Sequence, residues 1–379
     1  MLAKHCKSVL AALTLLSSVG TVSAQSYSLS FLDSLGGTQS FVRDINNSGQ
    51  IVGYSYVTGN TARHATLWSG STVTDLGAPF GGDSFANSIN NNGVVAGLDT
   101  GIRGSSTNVF RPMVWDGQTV TDLSQLGSPL VSSYGIAFGI NDSGVVVGEA
   151  RSVGGISATT WTNSSVTQLN PVCCGPEFIF EDSHGRAINN AGQVAGYAVV
   201  GSTNIATLWS GTSYTFLPSL GGVGSFAFSL NDSGQVVGST SITSTTSRAT
   251  LWDGNAAIDL GAIGGGSSTA LDINSGSQIV GYSNISGAPF STATLWYGSS
   301  IIDLNSYLDA DAVAAGWHLA TAQAINDIGW IIGDAINSQT GQRGAFVLSP
   351  VPEPSTYALM LLGIGFVGVM TGRRRVQAS

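Results

Sequence analysis

The sequence predicts an all-β fold in which seven repeats form a β-propeller-like ring of four-stranded blades. Three observations lead to this prediction. A nine-residue element recurs seven times, 42 to 52 residues apart, a period typical of propellers and other repeat folds. Each unit contains four short β-type runs and no long amphipathic helical pattern. The two ends of the repeat region resemble complementary parts of one unit.

The first two runs of each unit surround a tight turn. In the first copy, Ile45 to Gly53, the turn reads Asn-Asn-Ser-Gly, with glycine where a hairpin needs a positive φ. Ser277 replaces this glycine in the sixth copy, so we expect that turn to be strained or differently shaped. Two residue types recur in all seven copies: asparagine at 46, 90, 141, 189, 231, 274 and 326, and glycine at 53, 97, 148, 196, 238, 281 and 333.

The recurring asparagines have two interpretations. Asparagine side chains bond their own backbone and stabilise hairpin ends, so the first interpretation makes them turn residues. The second makes them a ring of amides at one end of the axis that binds a polar ligand.

The second half of each unit supplies two more strands around a Trp-Ser/Asp-Gly turn. In the second copy these are Pro112 to Asp116 and Gln118 to Leu123. We expect the tryptophans to pack between neighbouring blades as core, the alternative being a ring of sugar-stacking platforms. They occupy equivalent third-strand positions in six units: 68, 115, 161, 209, 252 and 296.

The ends of the repeat region predict closure of the ring. The segment from Tyr27 to Gly37 resembles a fourth strand, and Gly344 to Leu348 matches a third strand. The N-terminal strand can therefore complete the last blade, which removes the exposed edges of an open array. An open β-solenoid or stacked array is the alternative.

The repeats resemble the HAF family of probable extracellular repeats, which is named for a His-Ala-Phe motif. His64-Ala65-Thr66-Leu67-Trp68 is the nearest copy of that motif, and the Ile-Asn-x-x-Gly-x-Val-Val-Gly element is the better match. The resemblance covers nearly all of residues 25–350. It implies an extracellular repeat protein and assigns no activity.

The N-terminus has the composition of a secretory signal peptide. Lys4 and Lys7 precede an apolar run from residue 9 to 22, and a small-residue cleavage site follows. We expect cleavage between Ala24 and Gln25. The predicted organisation is therefore a signal peptide at 1–24, a repeat domain at 25–350 and a sorting tail at 351–379.

The C-terminal tail combines three features. Pro352, Glu353 and Pro354 precede an apolar run of 14 residues, from 357 to 370, which the basic cluster Arg373, Arg374 and Arg375 follows. At helical rise the run is about 21 Å long, marginal for a bilayer core of about 30 Å. The arginines would stay cytoplasmic.

This order of features resembles the PEP-CTERM sorting signal of Gram-negative bacteria. The resemblance implies recognition and removal by an exosortase-type enzyme, after transient anchoring in the inner membrane. It also implies export to the cell surface alongside exopolysaccharide. Exopolysaccharide and other surface proteins are the partners that this location suggests.

Charge excludes one class of function. Residues 25–350 contain no lysine and eight arginines against 21 acidic residues, a net charge of −13. Such a segment has no basic patch to neutralise phosphates, so we exclude nucleic-acid binding. Abundant Gly, Ser, Thr and Asn with few charges fits an extracellular β-rich protein.

Two long spacings between repeats contain the candidate site residues. Cys173 and Cys174 could form a vicinal disulfide or pair with another chain. The residues that follow could bind Ca²⁺ or carbohydrate, or form a solvated acidic loop: Glu177, Glu181, Asp182 and His184. Trp317 lies in the other long spacing. No metal site is assigned with a fixed ligand spacing, and Ca²⁺ is the one cofactor considered.

No catalytic motif is visible in the sequence. The function predicted is therefore non-enzymatic: a structural or interaction component of the exopolysaccharide-associated envelope or biofilm matrix. A lectin-like glycan-binding module is the first alternative. A polysaccharide hydrolase or lyase that uses Glu181 or Asp309 is the second.

Overall fold

The computed structural model describes residues 26–351, except 102–109, 118, 126–133, 153–154, 163–164, 170–181 and 212. Residues 27–350 form one compact unit. Residues 1–26 and 351–379 are grouped separately, and only Ser26 and Val351 of that group are described. The predicted signal peptide and the tail after Val351 therefore lie outside the described residues.

Seven four-stranded antiparallel sheets, here called blades 1 to 7, make up the fold. Within each blade the strands pair in chain order from the axis outward, and the first strand lies nearest the axis. The strands of blades 1 to 4 are β2 (Gly36–Ile45), β3 (Gln50–Val57), β4 (Arg63–Ser69) and β5 (Thr72–Gly77); β6 (Ser84–Ile89), β7 (Val95–Asp99), β8 (Arg111–Asp116) and β9 (Thr119–Asp122); β10 (Gly135–Ile140), β11 (Val146–Ser152), β12 (Gly155–Trp161) and β13 (Val166–Gln168); β14 (Ser183–Ile188), β15 (Gln193–Val200), β16 (Thr203–Ser210) and β17 (Ser213–Phe216).

Blades 5 to 7 continue the same pattern. Their strands are β18 (Ser225–Leu230), β19 (Val236–Ser241), β20 (Ser247–Asp253) and β21 (Ala256–Asp259); β22 (Ser268–Ile273), β23 (Ile279–Ser283), β24 (Thr292–Tyr297) and β25 (Ser300–Asp303); β26 (Trp317–Ile325), β27 (Ile331–Asn337) and β28 (Arg343–Pro350), with β1 (Tyr27–Phe31) as the outermost strand of blade 7. Helix is confined, in the described residues, to α1 (Ala310–Ala314) and four short 3₁₀ segments: Thr58–Asn60, Leu123–Gln125, Ile263–Gly265 and Leu304–Tyr307.

The predicted closure of the ring is confirmed. Strand β1 pairs antiparallel with β28, and Leu29 lies opposite Leu348. The chain's first strand is thus the fourth strand of its last blade. The ring closes on itself, so the open solenoid is wrong.

The tryptophans fill the spaces between blades. Each of the six is no more than 2 % exposed. Trp115 of blade 2, for example, packs against Val52 and Ala65 of blade 1. In blade 7, Leu348 takes the tryptophan position, because it pairs with Ile331 as Trp68 pairs with Ile51. The expectation that these residues form core is therefore confirmed.

A β-bulge interrupts the first strand of every blade. The register shifts by one residue just before the Ile/Leu-Asn pair, as between Ala227 and Ser229 of blade 5. The bulge directs the carbonyl oxygen of Phe226 at Gly238, where a Cβ atom would collide with it. The same approach occurs at all seven recurring glycines: 53, 97, 148, 196, 238, 281 and 333. These glycines recur because the bulge leaves no room for a side chain.

The turn after the first strand has one geometry throughout the ring. In blade 1, Asn46 N donates to Gln50 O at 3.0 Å and Gly49 N donates to Asn46 O at 3.0 Å. Gly49 has φ 76°, as expected for a type I turn closed by a glycine bulge. Ser277 keeps this shape with φ 58° and the same bond to Asn274 at 3.1 Å. Its turn is therefore strained rather than differently shaped.

Replacing Gly238 with alanine should destabilise the fold by about 3 kcal/mol, because the new methyl group must push the bulged carbonyl of Phe226 away. Gly254→Ala, in the same blade, is the matched control. Gly254 has φ 58° and open space around its Cα, so it should cost only about 1 kcal/mol. Urea unfolding of both variants measures the difference. Equal losses would contradict a special role for the bulge.

Candidate functional site

Seven asparagine side chains form a closed cycle of hydrogen bonds around the axis. Each Nδ2 donates to the main-chain oxygen of the equivalent asparagine in the next blade, at 3.0 to 3.2 Å. The donors and acceptors run from Asn46 to Asn90, Asn90 to Asn141, Asn141 to Asn189, Asn189 to Asn231, Asn231 to Asn274, Asn274 to Asn326, and Asn326 to Asn46. We call the side of the ring that carries these turns the asparagine face.

The same side chains also hold their own turns. The Oδ1 atom of Asn46 accepts hydrogen bonds from Ser48 N and Gln50 N, and its Nδ2 also donates to Gln50 Oε1. Asn46 therefore uses both donors and both acceptor positions within the protein. The asparagines act as turn residues, as expected, and the amide ring does exist. Its amides are bonded to the protein itself, which leaves Asn46 nothing to offer a ligand.

A second, open set of hydrogen bonds surrounds the first, formed by the residue after each asparagine. Among the described residues it has six links and is open between Asp232 and Ser275: in each link a backbone N–H donates to the side-chain oxygen of the next blade, at 2.8 to 2.9 Å. The donors are Asn47, Asn91, Asp142, Asn190, Ser275 and Asp327. Burial raises the pKa of Asp142, but hydrogen bonds from Asn91 and Asn190 outweigh it and leave the pKa below its ordinary value.

The bulges also determine what lines the axial channel on the other side of the ring. There a cavity of about 230 Å³ is lined by the bulged residue of each blade. These seven side chains differ from blade to blade, although their neighbours repeat. They are Arg43, Asn87, Phe138, Arg186, Phe228, Leu271 and Gln323.

Two carboxylates lie one residue further along, between this cavity and a second one of about 200 Å³ at the asparagine face. Asp44 accepts hydrogen bonds from Ser88 Oγ at 2.7 Å and Ile89 N at 2.9 Å. Asp272 accepts from Ser229 Oγ at 2.7 Å and Ile325 N at 2.9 Å. Each carboxylate thus links neighbouring blades.

Burial raises the pKa of both carboxyl groups. Asp272 reaches about 7, because the negative charge of Asp44 adds to the effect of burial. The pKa of Asp44 is raised chiefly by burial, against hydrogen bonds from Ile89 and Ser88 that lower it. The negative charge of Asp44 therefore disfavours ionisation of Asp272 across the channel.

A hydrogen-bonded cluster behind Arg186 fixes that side chain. The buried Glu149 carboxylate accepts from Tyr134 Oη at 2.9 Å, contacts His184 Nδ1 at 2.6 Å and lies 3.9 Å from Arg186 Nη2. Arg186 Nη2 also donates to Tyr197 Oη at 3.0 Å. Burial raises the pKa of Glu149, but the hydrogen bond and charge of His184 and the charge of Arg186 leave it lowered. The ionised carboxylate then anchors the guanidinium.

The structure places three of the predicted site residues and does not bring them all together. Asp182 Oδ1 accepts from Ile156 N at 2.7 Å, and the His184 ring is stacked on Tyr197. Trp317 belongs to blade 7, where it contacts Phe31 with ring centroids 4.6 Å apart. Glu177, Glu181, Cys173 and Cys174 lie outside the described residues, as do the sorting motif and the basic cluster. Within the part of the chain that is described, no group of three or more His, Cys, Asp or Glu could hold a metal ion.

Trp317 lies instead in an aromatic groove beside the closure of the ring. The groove has a volume of about 230 Å³ and lies between blades 7 and 1. Phe31 is 39 % exposed there. We call it the Trp317 groove, lined by Phe31, Leu32, Asp33, Ser34, Gly37, Thr38, Gln39, Ser40, Trp317, Gln342, Arg343 and Gly344.

Sequence reasoning missed the channel-lining residues, although the repeats carried a signal for them. The position two residues before the Ile/Leu-Asn pair differs in nearly every copy, reading Arg, Asn, Phe, Arg, Phe, Leu and Gln. Its neighbours on both sides are restricted. A position that varies inside a regular repeat, where packing is the same in every copy, is a candidate for function.

The comparisons with known proteins agree with the fold and with the tail. A family model for the PEP-CTERM protein-sorting motif matches residues 350–375, which confirms that prediction. A search of curated proteins gives no match. Among solved structures, the chain is similar to the β-propeller domain of the Trilobed protease from Pyrococcus furiosus. The two share 10 % identity and a TM-score of 0.54, over 82 % of this chain and 93 % of that one.

At this identity the likeness shows the fold alone. The Pyrococcus domain is described as having an open Velcro topology, whereas here β1 closes the ring. Fold and motif together define an exported seven-bladed β-propeller protein of the cell surface. The motif implies that an exosortase-type enzyme processes it. In the described residues no helix is long and apolar enough to cross a membrane, and the run 357–370 lies outside them.

Asn231→Asp should destabilise the ring by about 2 kcal/mol. A carboxylate cannot donate to Asn274 O or Gln235 Oε1, so both hydrogen bonds are lost and the new charge faces two oxygen atoms. Asn284→Asp makes the same charge change at an exposed side chain and should be nearly neutral. Thermal unfolding at neutral pH compares the two. A neutral Asn231→Asp would show that the cycle contributes nothing to stability.

The pair of channel carboxylates predicts pH dependence. The pKa of Asp272 rises from its ordinary value of 3.8 to about 7 in the folded protein, so the folded state binds this proton more tightly than the unfolded state. Unfolding is therefore favoured as pH rises from about 4 to about 7. Asp272→Asn should remove that loss, on the order of 4 kcal/mol, and flatten the profile. The exposed Asp116→Asn is the control. An unchanged slope in Asp272→Asn would contradict the assignment.

Proposed function

We propose that the mature protein is a non-enzymatic surface protein that binds extracellular polysaccharide. It would serve as an interaction component of the exopolysaccharide-associated envelope or biofilm matrix. The sorting motif supports this location, and the Trp317 groove is the observation on which the binding role depends. The lectin-like alternative is the more specific form of this proposal, and the same groove favours it.

The groove has the chemistry of a carbohydrate site. Aromatic rings offer apolar faces on which the C–H groups of a sugar can pack. Trp317 and Phe31 supply these faces, at a tilt of 36° to each other. Gln39, Gln342 and Arg343 stand along the rim and can hydrogen-bond sugar hydroxyls. A shallow aromatic groove with a polar rim suits one or two sugar units of a longer chain.

The groove and the asparagine turns lie on opposite sides of the ring. The groove lies where β1 ends and where β26 and β28 begin, opposite the asparagine face. The ring's own chain starts at Tyr27 and ends at Pro350, and Pro350 lies beside Gly329 of an asparagine turn. A partner that reaches the groove therefore approaches from the side away from both ends of the ring.

The remaining predictions stand as proposals. Ca²⁺ binding by Glu177, Glu181, Asp182 and His184, a disulfide between Cys173 and Cys174, HAF-type repeats and cleavage after Ala24 each need their own experiment. For a hydrolase or lyase, Asp309 offers little support, because its carboxylate caps α1 by accepting from Ala312 N at 2.7 Å.

Trp317→Ala should weaken binding to the host's purified extracellular polysaccharide at least about tenfold, because the groove loses its larger aromatic face. Tyr297→Ala is the matched control, since Tyr297 is 52 % exposed on the outer part of blade 6. Biolayer interferometry with immobilised polysaccharide measures both, with added calcium and with chelator. Equal binding by the wild type and Trp317→Ala would refute the groove. A loss with chelator would place Ca²⁺ in the binding reaction.

A further inference from the structure

We propose that the axial cavity opposite the asparagine face is a second binding site, which takes a single carboxylated sugar such as a uronate. The site is separate from the Trp317 groove and goes beyond the proposed function. It is formed by the bulged residues of all seven blades.

Two arginines identify a carboxylate as the anchoring group. Arg43 and Arg186 come from blades 1 and 4, nearly opposite each other on the ring, and both line the cavity. Arg43 is exposed and makes no hydrogen bond to any residue that the structure describes; its guanidinium carbon lies 5.4 Å from the Tyr54 ring. A planar guanidinium with free donors binds carboxylates with two parallel hydrogen bonds.

Contacts with the protein hold the Arg186 guanidinium at the cavity, where it can also bind a carboxylate. Its guanidinium carbon lies 4.1 Å from the Phe138 ring centroid, and Glu149 and Tyr197 fix its other side. The Nε atom is buried without a hydrogen-bond partner among the described residues. A buried N–H of a charged group is costly to leave unpaired. Arg186 lines the cavity, so its guanidinium places positive charge beside a bound carboxylate.

The rest of the lining suits the body of a sugar ring. Phe138 and Phe228 present apolar surface, whereas Asn87 and Gln323 carry amides. Below them, Asp44 and Asp272 accept hydrogen bonds from protein groups and retain lone pairs for hydroxyl donors. An inorganic anion could use the arginines alone and would leave the aromatic rings and amides without a partner. This combination therefore favours a carboxylated saccharide.

Size limits the ligand to one unit. The cavity of about 230 Å³ is smaller than the roughly 300–1,000 Å³ typical of sites for drug-sized molecules. A chain of sugars would have to end there, with its terminal unit along the axis.

Isothermal titration calorimetry on the protein purified from the full-length chain tests the proposal. The probes are glucuronate and galacturonate, with glucose, galactose, acetate and phosphate as comparisons. We expect the uronates to bind at least about tenfold more tightly than any comparison. Arg43→Gln and Arg186→Gln should each weaken uronate binding about tenfold, because each removes one of the two guanidinium groups that bind the carboxylate. Arg151→Gln makes the same charge change at an exposed residue of blade 3 outside the cavity and should change nothing.

Each other outcome overturns the proposal. Equal binding of uronates and neutral sugars would show that the site does not recognise the carboxylate. Equal binding of acetate or phosphate would show that it does not recognise the sugar. If the arginine variants do not fold, the thermal midpoint of the unaltered protein decides, since uronate should raise it and glucose should not. Trp317→Ala should leave uronate binding unchanged. A parallel loss would assign the uronate to the groove and refute a second site.

Discussion

The cycle of asparagine hydrogen bonds is the constraint on which the ring depends. A chain of seven donors can close only when the last blade returns to the first, and here Asn326 of blade 7 donates to Asn46 of blade 1 at 3.0 Å. Each link is short and buried, so a change in blade number or tilt would break a hydrogen bond of a buried amide. Strand β1 closes the outside of the ring, while the asparagines close it near the axis.

The bulge and its facing glycine explain how one repeat serves both packing and function. In a regular first strand, side chains would alternate strictly between the two faces of the blade, so the residues nearest the axis would also be ones that pack between blades. One extra residue per blade breaks this alternation, so Ala227 and Leu230 stay in the core while Phe228 turns to the channel. Since glycine at 238 tolerates the displaced carbonyl, the channel residue can vary without disturbing the blade.

Repetition made most of the fold predictable. Seven copies of the Asn-turn-Gly element gave the blade count, and the complementary ends gave the closure of blade 7 by the first strand. The sites were less predictable, because ligand contacts come from different blades. Arg43 and Arg186 are 143 positions apart in the chain, and only the ring brings them to one cavity. Nothing in the sequence shows that His184 contacts Glu149.

The two faces of the ring differ in what they leave unsatisfied, and this difference argues for binding on one side. On the asparagine face, amides, carboxylates and backbone N–H groups bond one another in a closed inner cycle and an open outer set, so a ligand would have to break existing bonds. On the other face, Arg43 lacks a described hydrogen bond, Arg186 Nε is buried without a partner, and Phe31 remains exposed. Donors without a protein partner among the described residues, beside an exposed aromatic ring, remain free to contact a ligand, so the face that varies between repeats is the one on which we place binding.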